Sequence, residues 1–142
     1  MDWGYLLNSF EGRIGRRTFW IAMVVVAIGN VIACLIADQL GGDRLSAIVD
    51  LAFTYPEFAV TAKRSHDRNL PLWLLGIFFA ANAVLDLLTV LGWGGTDEQP
   101  STLALVIAVP FTVLGLALLF ELGFRRGTVG PNPYGPDPLT KR

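Results

Sequence analysis

Long apolar runs separated by short polar segments dominate the pattern along this chain. Two of these runs, 18–37 and 101–120, contain no charged residue. A helix rises about 1.5 Å per residue, so about 20 apolar residues are needed to cross about 30 Å of hydrocarbon. Both runs have that length, and each predicts a membrane-spanning helix.

Two further runs are apolar but are interrupted by acids. Residues 70–93 carry Asp86 as their only charge, and residues 45–62 carry Asp50 and Glu57. The first of these runs predicts another span, whereas 45–62 fits either a full crossing or a re-entrant or interfacial helix. Taken together, the four runs predict an all-α integral membrane protein, folded as a four-transmembrane-helix bundle.

Composition supports a membrane protein. The chain has 142 residues, of which 53% are hydrophobic and 16% are charged, and its mean hydropathy is +0.51. These values are unusual for a soluble protein of this size, and the length favours a single membrane domain over residues 1–142. Cys34 is the only cysteine and lies within an apolar run, so no intramolecular disulfide is expected.

The charged residues are divided unequally among the polar segments. Ten of the eleven Lys and Arg residues lie in segments 1–17, 63–69 and 121–142, and only Arg44 lies elsewhere. Acids instead mark the segments after the first and third spans: Asp38, Asp43, Asp97 and Glu98. Short loops rich in Lys and Arg stay on the cytoplasmic side. The pattern therefore predicts an N-in/C-in topology, with segment 63–69 also in the cytoplasm.

The two terminal segments have distinct patterns. Residues 1–17 alternate apolar and polar groups and predict an interfacial helix whose side chains Trp3, Tyr5, Leu6 and Phe10 enter the lipid headgroups. The tail, 121–142, contains four Pro residues and repeated Gly residues, which argue against regular helix beyond the last span. A tail so restricted loses little entropy when it docks, and we expect it to pack on the cytoplasmic ends of the helices.

This topology gathers distant polar residues at one membrane face. The candidates there for a binding site or a structural network are Arg13, Arg16, Arg64, His66, Asp67, Asn132, Tyr134 and Asp137. A lone acid among bases usually has a partner, and Arg is suited to bidentate pairing. We expect Asp67 to pair with Arg13 or Arg16, and His66 to bond a backbone carbonyl or the tail. The remaining Arg side chains are expected to bind an anionic group, such as a lipid headgroup or a phosphate.

The same segments hold little else that suggests chemistry. For Arg17, Lys63 and Arg68, the simplest expectation is retention of their segments in the cytoplasm and contact with lipid phosphates. His66 and Asp67 invite an acid–base or metal interpretation, but the chain has one histidine and no cluster with ligand spacing. No metal site, no cofactor and no catalytic residue is expected.

A second set of polar residues lies within the predicted spans: Asp50, Glu57, Asp86 and Asn82. Charged groups in hydrocarbon are costly, so they are expected to face the bundle interior or an aqueous cavity and to be functional. The alternative for Asp50 and Asp86 is hydration close to the membrane surface. Glu57 is expected to be neutralised by Arg64 or by a neighbouring helix, and the protonation of the three acids stays open.

Three motifs carry a resemblance to a known family: "GRIGRRTFW" before the first span, "KRSHDRNLPLW" before the third, and "NPYGPDP" in the tail. Together they resemble the domain of unknown function 805 family, small multi-pass inner-membrane proteins of bacteria, from about Phe10 to Pro138. Members commonly show Arg-Arg-Leu-His-Asp followed by a small-residue turn and a Trp. Here Arg64, His66, Asp67 and Trp73 match, whereas the Leu and Gly positions differ. The resemblance implies a bacterial inner-membrane location and no established activity.

The function expected from these patterns is non-enzymatic, because no nucleophile with a base and no metal set is present. We expect an accessory or regulatory module that binds anionic lipid or a protein partner through its basic cytoplasmic face, and no nucleic acid. A homo-oligomer and a membrane protein partner both stay open. The alternative function is a small oligomeric ion or solute channel or transporter that uses the intramembrane carboxylates.

Overall fold

A computed structural model describes residues 1–95 and 99–140. Its helices, in chain order, are α1 (Trp3–Asn8), α2 (Arg16–Asp67), α3 (Leu72–Val90) and α4 (Thr102–Phe124). These described residues form no strand, only two isolated bridges, Gly95 with Pro100 and Asn132 with Gly135. The predicted all-α class is confirmed. Four residues of the charge pattern lie outside the described part of the chain: Asp97, Glu98, Lys141 and Arg142.

Helix α2 covers the first two predicted spans and reverses direction at Gly42. The backbone of Gly42 has φ 65° and ψ −166°, a conformation that glycine adopts without steric cost. The two arms, residues 16–41 and 43–67, then run side by side. Asn30 Nδ2 donates to Asp50 Oδ1 at 2.6 Å, and Cys34 Sγ donates to the Ser46 carbonyl at 3.7 Å. Residue numbers rise along one arm as they fall along the other, so the arms are antiparallel.

Helices α2, α3 and α4 are each long and apolar enough to cross a membrane, judged by length and composition. Large aliphatic side chains cover their outer surfaces. Val31, Leu35, Val106 and Val113 are each more than half exposed. A continuous surface of this kind suits hydrocarbon better than water.

The buried core lies where the start of α2, the end of α2, the start of α3 and the end of α4 meet. Its members are Leu6, Ile14, Phe19, Ala22, Val60, Leu75, Leu118 and Leu122. Helix α1 and the segment after it contribute two of them. The N-terminal segment is therefore part of the packed structure at this end of the bundle.

This packing corrects the prediction for residues 1–17. The helix covers only Trp3–Asn8, and Asp2 caps it by accepting from the Tyr5 N–H at 3.0 Å. Leu6, expected among the headgroups, is 2% exposed and belongs to the core. Trp3 and Tyr5 remain exposed, because the short helix buries only its Leu6 side.

The turn between α2 and α3 forms without the glycine that the family motif has there. Asn69 adopts φ 55°, in the left-handed region that Asn tolerates better than most residues. Its N–H donates to the His66 carbonyl, and the Leu70 N–H donates to the Ser65 carbonyl at 3.0 Å. This is the Schellman pattern of a helix C-terminus, so α2 ends cleanly after Asp67 and α3 follows at once.

Candidate functional site

Asp67 is the centre of a buried charge network at the end of α2. Arg13 donates to its Oδ1 through Nε at 3.1 Å and through Nη2 at 2.9 Å. Arg64, one turn earlier in α2, pairs through Nη1 with Oδ2. All three side chains are almost completely buried. Asp67 therefore pairs with Arg13, one of its two expected partners, and Arg16 takes no part in the pair.

Arg13 joins the N-terminal segment to the tail. Its Nη1 donates to the carbonyls of Gly130 at 2.8 Å and Gly135 at 3.2 Å. Its Nη2 also donates to the Thr128 carbonyl at 2.7 Å and to Thr128 Oγ1 at 3.1 Å. With the bonds to Asp67, every nitrogen of this guanidinium is occupied.

Arg64 joins α2 to the end of α4. Its Nε donates to the Leu122 carbonyl at 2.7 Å, and its Nη2 donates to the Arg125 carbonyl at 2.6 Å. The last carbonyls of a helix have no partner within the helix, and cations are favourable there. Arg64 is completely buried, so it closes the end of α4 and presents no surface to a headgroup.

The tail docks directly on Asp67 and His66. Thr128 donates to the Asp67 carbonyl through its N–H at 2.8 Å and its hydroxyl at 3.1 Å. Asn132 Nδ2 donates to the His66 carbonyl at 2.9 Å. Gly127 leaves no space beside Asp67, because a Cβ on Gly127 would lie 2.0 Å from Asp67 Oδ2. The tail thus packs on the end of α2 as the pattern of Pro and Gly predicts.

His66 lies between the N-terminal segment and the tail. Its Nδ1 is 3.1 Å from the Gly12 carbonyl, and a carbonyl only accepts, so Nδ1 carries the proton of the neutral ring. The ring stacks on Tyr134 with centroids 3.9 Å apart and planes 5° apart. His66 bonds a carbonyl and contacts the tail, the two options expected for it. Its Nε2 has no hydrogen-bond partner among the described residues.

Asp137 shapes the tail turn that Arg13 contacts. Its two oxygens accept the Gly130 N–H at 3.0 Å and the Leu139 N–H at 2.9 Å. The backbone N–H groups of Leu139 and then Gly130, and more weakly the Arg13 guanidinium, lower the pKa of this carboxyl below its usual range. Asp137 therefore stays ionised and holds the two ends of the turn together.

Two bases expected to contact lipid phosphates bind groups of the protein instead. Lys63 is completely buried, donates to the Ser9 carbonyl and lies 5.1 Å from the Tyr5 ring centroid. Arg68 pairs with Glu121 and donates to a tail carbonyl. For these two residues the expected contact with lipid phosphates is wrong, because the N-terminal segment and the tail cover the end of α2 and offer carbonyl partners. Their expected role in retaining segment 63–69 in the cytoplasm stays a prediction.

The exposed bases at this end of the bundle form a separate basic patch, defined as Arg16, Arg17, Arg125 and Arg126. Arg16 Nη1 donates to the Phe124 carbonyl at 3.0 Å, which brings the start of α2 beside the end of α4. Trp20 reinforces this contact by donating to the Gly123 carbonyl at 3.0 Å. The basic patch therefore adjoins the apolar surfaces of two helices.

The polar residues within the helices fall into two groups. Asp50 and Asp86 line a polar cleft of about 440 Å³, and Asn30 binds Asp50 there. Glu57 and Asn82 line a different cavity of about 400 Å³. The expected neutralisation of Glu57 by Arg64 is absent, because Arg64 is bound to Asp67 and to the carbonyls of α4.

Three contributors were missed at the level of sequence: Glu121, Gly127 and Thr128. Glu121 is one helical turn before Arg125 and binds it at 2.8 Å, a spacing that signals a helical ion pair. Gly127 and Thr128 carry no such signal. Their roles depend on how the irregular tail folds back over Asp67.

The network residues other than Asp137 lie inside a region shared with known proteins. The family described as "Protein of unknown function (DUF805)" matches residues 7–136. The chain belongs to this family. No solved structure matches it.

Two relatives come from Escherichia coli K12. "Uncharacterized protein YiiR" is 32% identical, over 92% of this chain and 86% of its own length. "Inner membrane protein YhaH" is 26% identical, over 97% of both chains. The similarity therefore extends over the helices, the central charge network and most of the tail.

Proposed function

We propose that this protein is a non-enzymatic accessory or regulatory module of the bacterial inner membrane. It binds anionic phospholipid headgroups through the basic patch Arg16, Arg17, Arg125 and Arg126. The relative named as an inner membrane protein supports the location. The long apolar helices, with aliphatic side chains on their outer surfaces, support it as well.

The exposure of this basic patch is the observation that carries the proposal. Arg13 and Arg64 are occupied internally, so an anion at this end of the bundle meets the patch instead. Basic residues next to a membrane attract anionic lipids by about 1 kcal/mol each. The guanidinium fork also matches the geometry of a phosphate.

The topology that suits this function is four crossings with both termini in the cytoplasm. Asp67 contacts both Arg13 and the tail, so segment 63–69 and the two terminal segments share one side. That arrangement follows if each arm of α2 crosses once and α3 and α4 cross once each. In the sequence, the three segments assigned to this side contain ten of the eleven Lys and Arg residues, as the rule for cytoplasmic loops predicts.

Cysteine labelling tests this topology. In a Cys34→Ser background, Leu40→Cys and Val129→Cys each place one thiol at an exposed position. We expect a membrane-impermeant maleimide to label Leu40→Cys in intact cells, and Val129→Cys only after lysis. Labelling of Val129→Cys in intact cells would contradict the proposed orientation.

Lipid preference tests the basic patch. Arg17 and Arg126 are exposed, and their side chains make no hydrogen bond among the described residues, so Arg17→Gln with Arg126→Gln should leave the fold intact. Removal of two charges is expected to weaken the preference for phosphatidylglycerol over phosphatidylethanolamine by about 2 kcal/mol, roughly 30-fold. Native mass spectrometry of the protein titrated with equal amounts of both lipids measures this preference.

The matched control is Arg44→Gln, which removes the one base that lies outside the basic segments. It is expected to retain the wild-type preference for phosphatidylglycerol. An unchanged preference in the double variant would refute lipid binding through the basic patch and would turn attention to a protein partner.

A further inference from the structure

The cavity that holds Glu57 lies among α2, α3 and α4 and has a volume of about 400 Å³. Small-molecule sites in proteins are typically concave, mostly apolar and about 300–1,000 Å³ in volume. Most residues around this cavity are apolar, and four are aromatic: Phe19, Phe78, Phe79 and Phe111. Glu57 is the one charged residue among the described residues that line it.

Glu57 has no cationic partner within the described part of the chain, and the neutral amide of Asn30 is hydrogen-bonded to its side chain. The nearest base along the same helix face is Arg64, two turns away, and its guanidinium is bound to Asp67 and to backbone carbonyls. Acids inside a membrane protein are usually paired or mark a ligand pathway. A cation from outside the chain would supply the opposite charge that the Asn30 amide does not provide.

The aromatic side chains indicate which kind of cation would suit the cavity. Phe78 and Phe79 both line the cavity and pack edge to face, with ring centroids 5.3 Å apart and planes at 84°. Ring faces attract cations, and quaternary ammonium groups are the ligands best known to use them. A hydrated metal ion would gain little here, because few oxygen ligands accompany Glu57.

Asn82 adds one polar group to the same wall. Its Nδ2 donates to the Phe78 carbonyl at 2.8 Å within α3, which leaves its Oδ1 as an acceptor. Gly115 keeps α4 close to Phe78, since a Cβ on Gly115 would lie 2.8 Å from that ring. The cavity thus combines apolar walls, aromatic rings and one carboxylate.

We propose that this cavity binds a lipophilic ammonium ion, whose cationic head pairs with Glu57 and whose apolar part lies against the phenylalanine rings. This site is separate from the basic patch and does not depend on the proposed lipid binding. Its ligand class follows from the single acid, Glu57, and from the aromatic lining.

The test uses two probes of the same shape and different charge. Benzyltrimethylammonium is cationic, and neopentylbenzene is its neutral analogue, with carbon in place of nitrogen. Equilibrium binding is measured on the full-length protein in a maltoside detergent. Wild-type protein is expected to bind the ammonium at least about tenfold more tightly than the neutral analogue. Glu57→Gln is expected to remove that difference.

Two further variants separate a defect in the site from a defect in folding. Ala108 lines the cavity, so Ala108→Phe is expected to fill it and abolish binding of the ammonium while Glu57 remains. Val106 lies on the same helix, is 67% exposed and is not among the lining residues, so Val106→Phe is expected to bind as the wild type does. Equal binding of both probes by the wild type would overturn the proposal, as would undiminished ammonium binding by Ala108→Phe.

Discussion

Replacement of Asp67 by Asn is expected to lower the free energy of unfolding by about 3–5 kcal/mol, the typical cost of removing one partner from a buried ion pair. Asn has nearly the same shape, so the loss arises from charge. Arg13 and Arg64 would both remain buried without their shared carboxylate. Denaturant unfolding in detergent, followed by circular dichroism, measures the change.

Glu121→Gln is the matched control for this variant. Glu121 also binds two arginines, Arg68 and Arg125, but its side chain is 22% exposed and that of Arg125 is 59% exposed, whereas the Asp67 side chain is 5% exposed. Ion pairs that water reaches contribute less than buried ones, about 0–1 kcal/mol at fully exposed sites, so Glu121→Gln is expected to cost less than Asp67→Asn. If Asp67→Asn and Glu121→Gln cost the same, the buried network does not stabilise the fold as argued above.

The side chains of the buried network carry more positive charge than negative charge. Two guanidinium groups meet a single Asp67, and the remaining negative potential comes from backbone carbonyls. Those of Leu122 and Arg125 lie at the end of α4, where the helix dipole is negative. The tail carbonyls serve Arg13 in the same way. The ends of separate segments are therefore held together by the two cations.

Gly127→Ala is expected to cost about 1–3 kcal/mol, the usual penalty for an added methyl group in a packed site. The new Cβ would lie 2.0 Å from Asp67 Oδ2 and 2.6 Å from its carboxyl carbon. Either the tail moves away or Asp67 leaves Arg13, and both outcomes weaken the docking of the tail. Faster tryptic cleavage after Arg125 and Arg126, together with reduced thermal stability, would report this change.

Gly76→Ala provides the control for Gly127→Ala. A Cβ on Gly76 meets nothing within 4 Å, and the residue lies inside α3, where Ala is favoured over Gly by about 0.5–1 kcal/mol. This variant is expected to equal or exceed the wild type in stability. If Gly127→Ala were cleaved at the same rate as the wild type and were equally stable, docking of the tail would not depend on the close approach of Gly127 to Asp67.

Much of the helical structure was predictable because it depends on local pattern. The uncharged run 101–120 lies almost entirely within α4, Thr102–Phe124, and the run 70–93 contains α3, Leu72–Val90. The reversal at Gly42 was less evident, since the segment between the first two runs forms helix up to the turn. An apolar run indicates that a helix is surrounded by apolar groups, but it does not indicate where the chain bends sharply.

The candidate site was predictable only in part. The predicted topology was enough to place Asp67 near Arg13 and the tail, because segments predicted on one membrane face are expected to lie close together. It did not distinguish Arg13 from Arg16 as the partner, nor did it separate Glu57 from Asp50, which share one face of a helix by spacing. These choices depend on which neighbouring element packs against each side chain.

The apolar runs and the distribution of bases were evident from the sequence alone, because hydrophobicity and charge are properties of individual residues. Only the tertiary structure determined the burial and the partners of three arginines that are close in sequence. Arg13 is buried against Asp67, Arg16 binds the end of α4, and Arg17 is exposed. The partners of Arg13 and Arg16 lie more than 50 residues away along the chain, so only the packing of α1, α4 and the tail around the end of α2 could assign them.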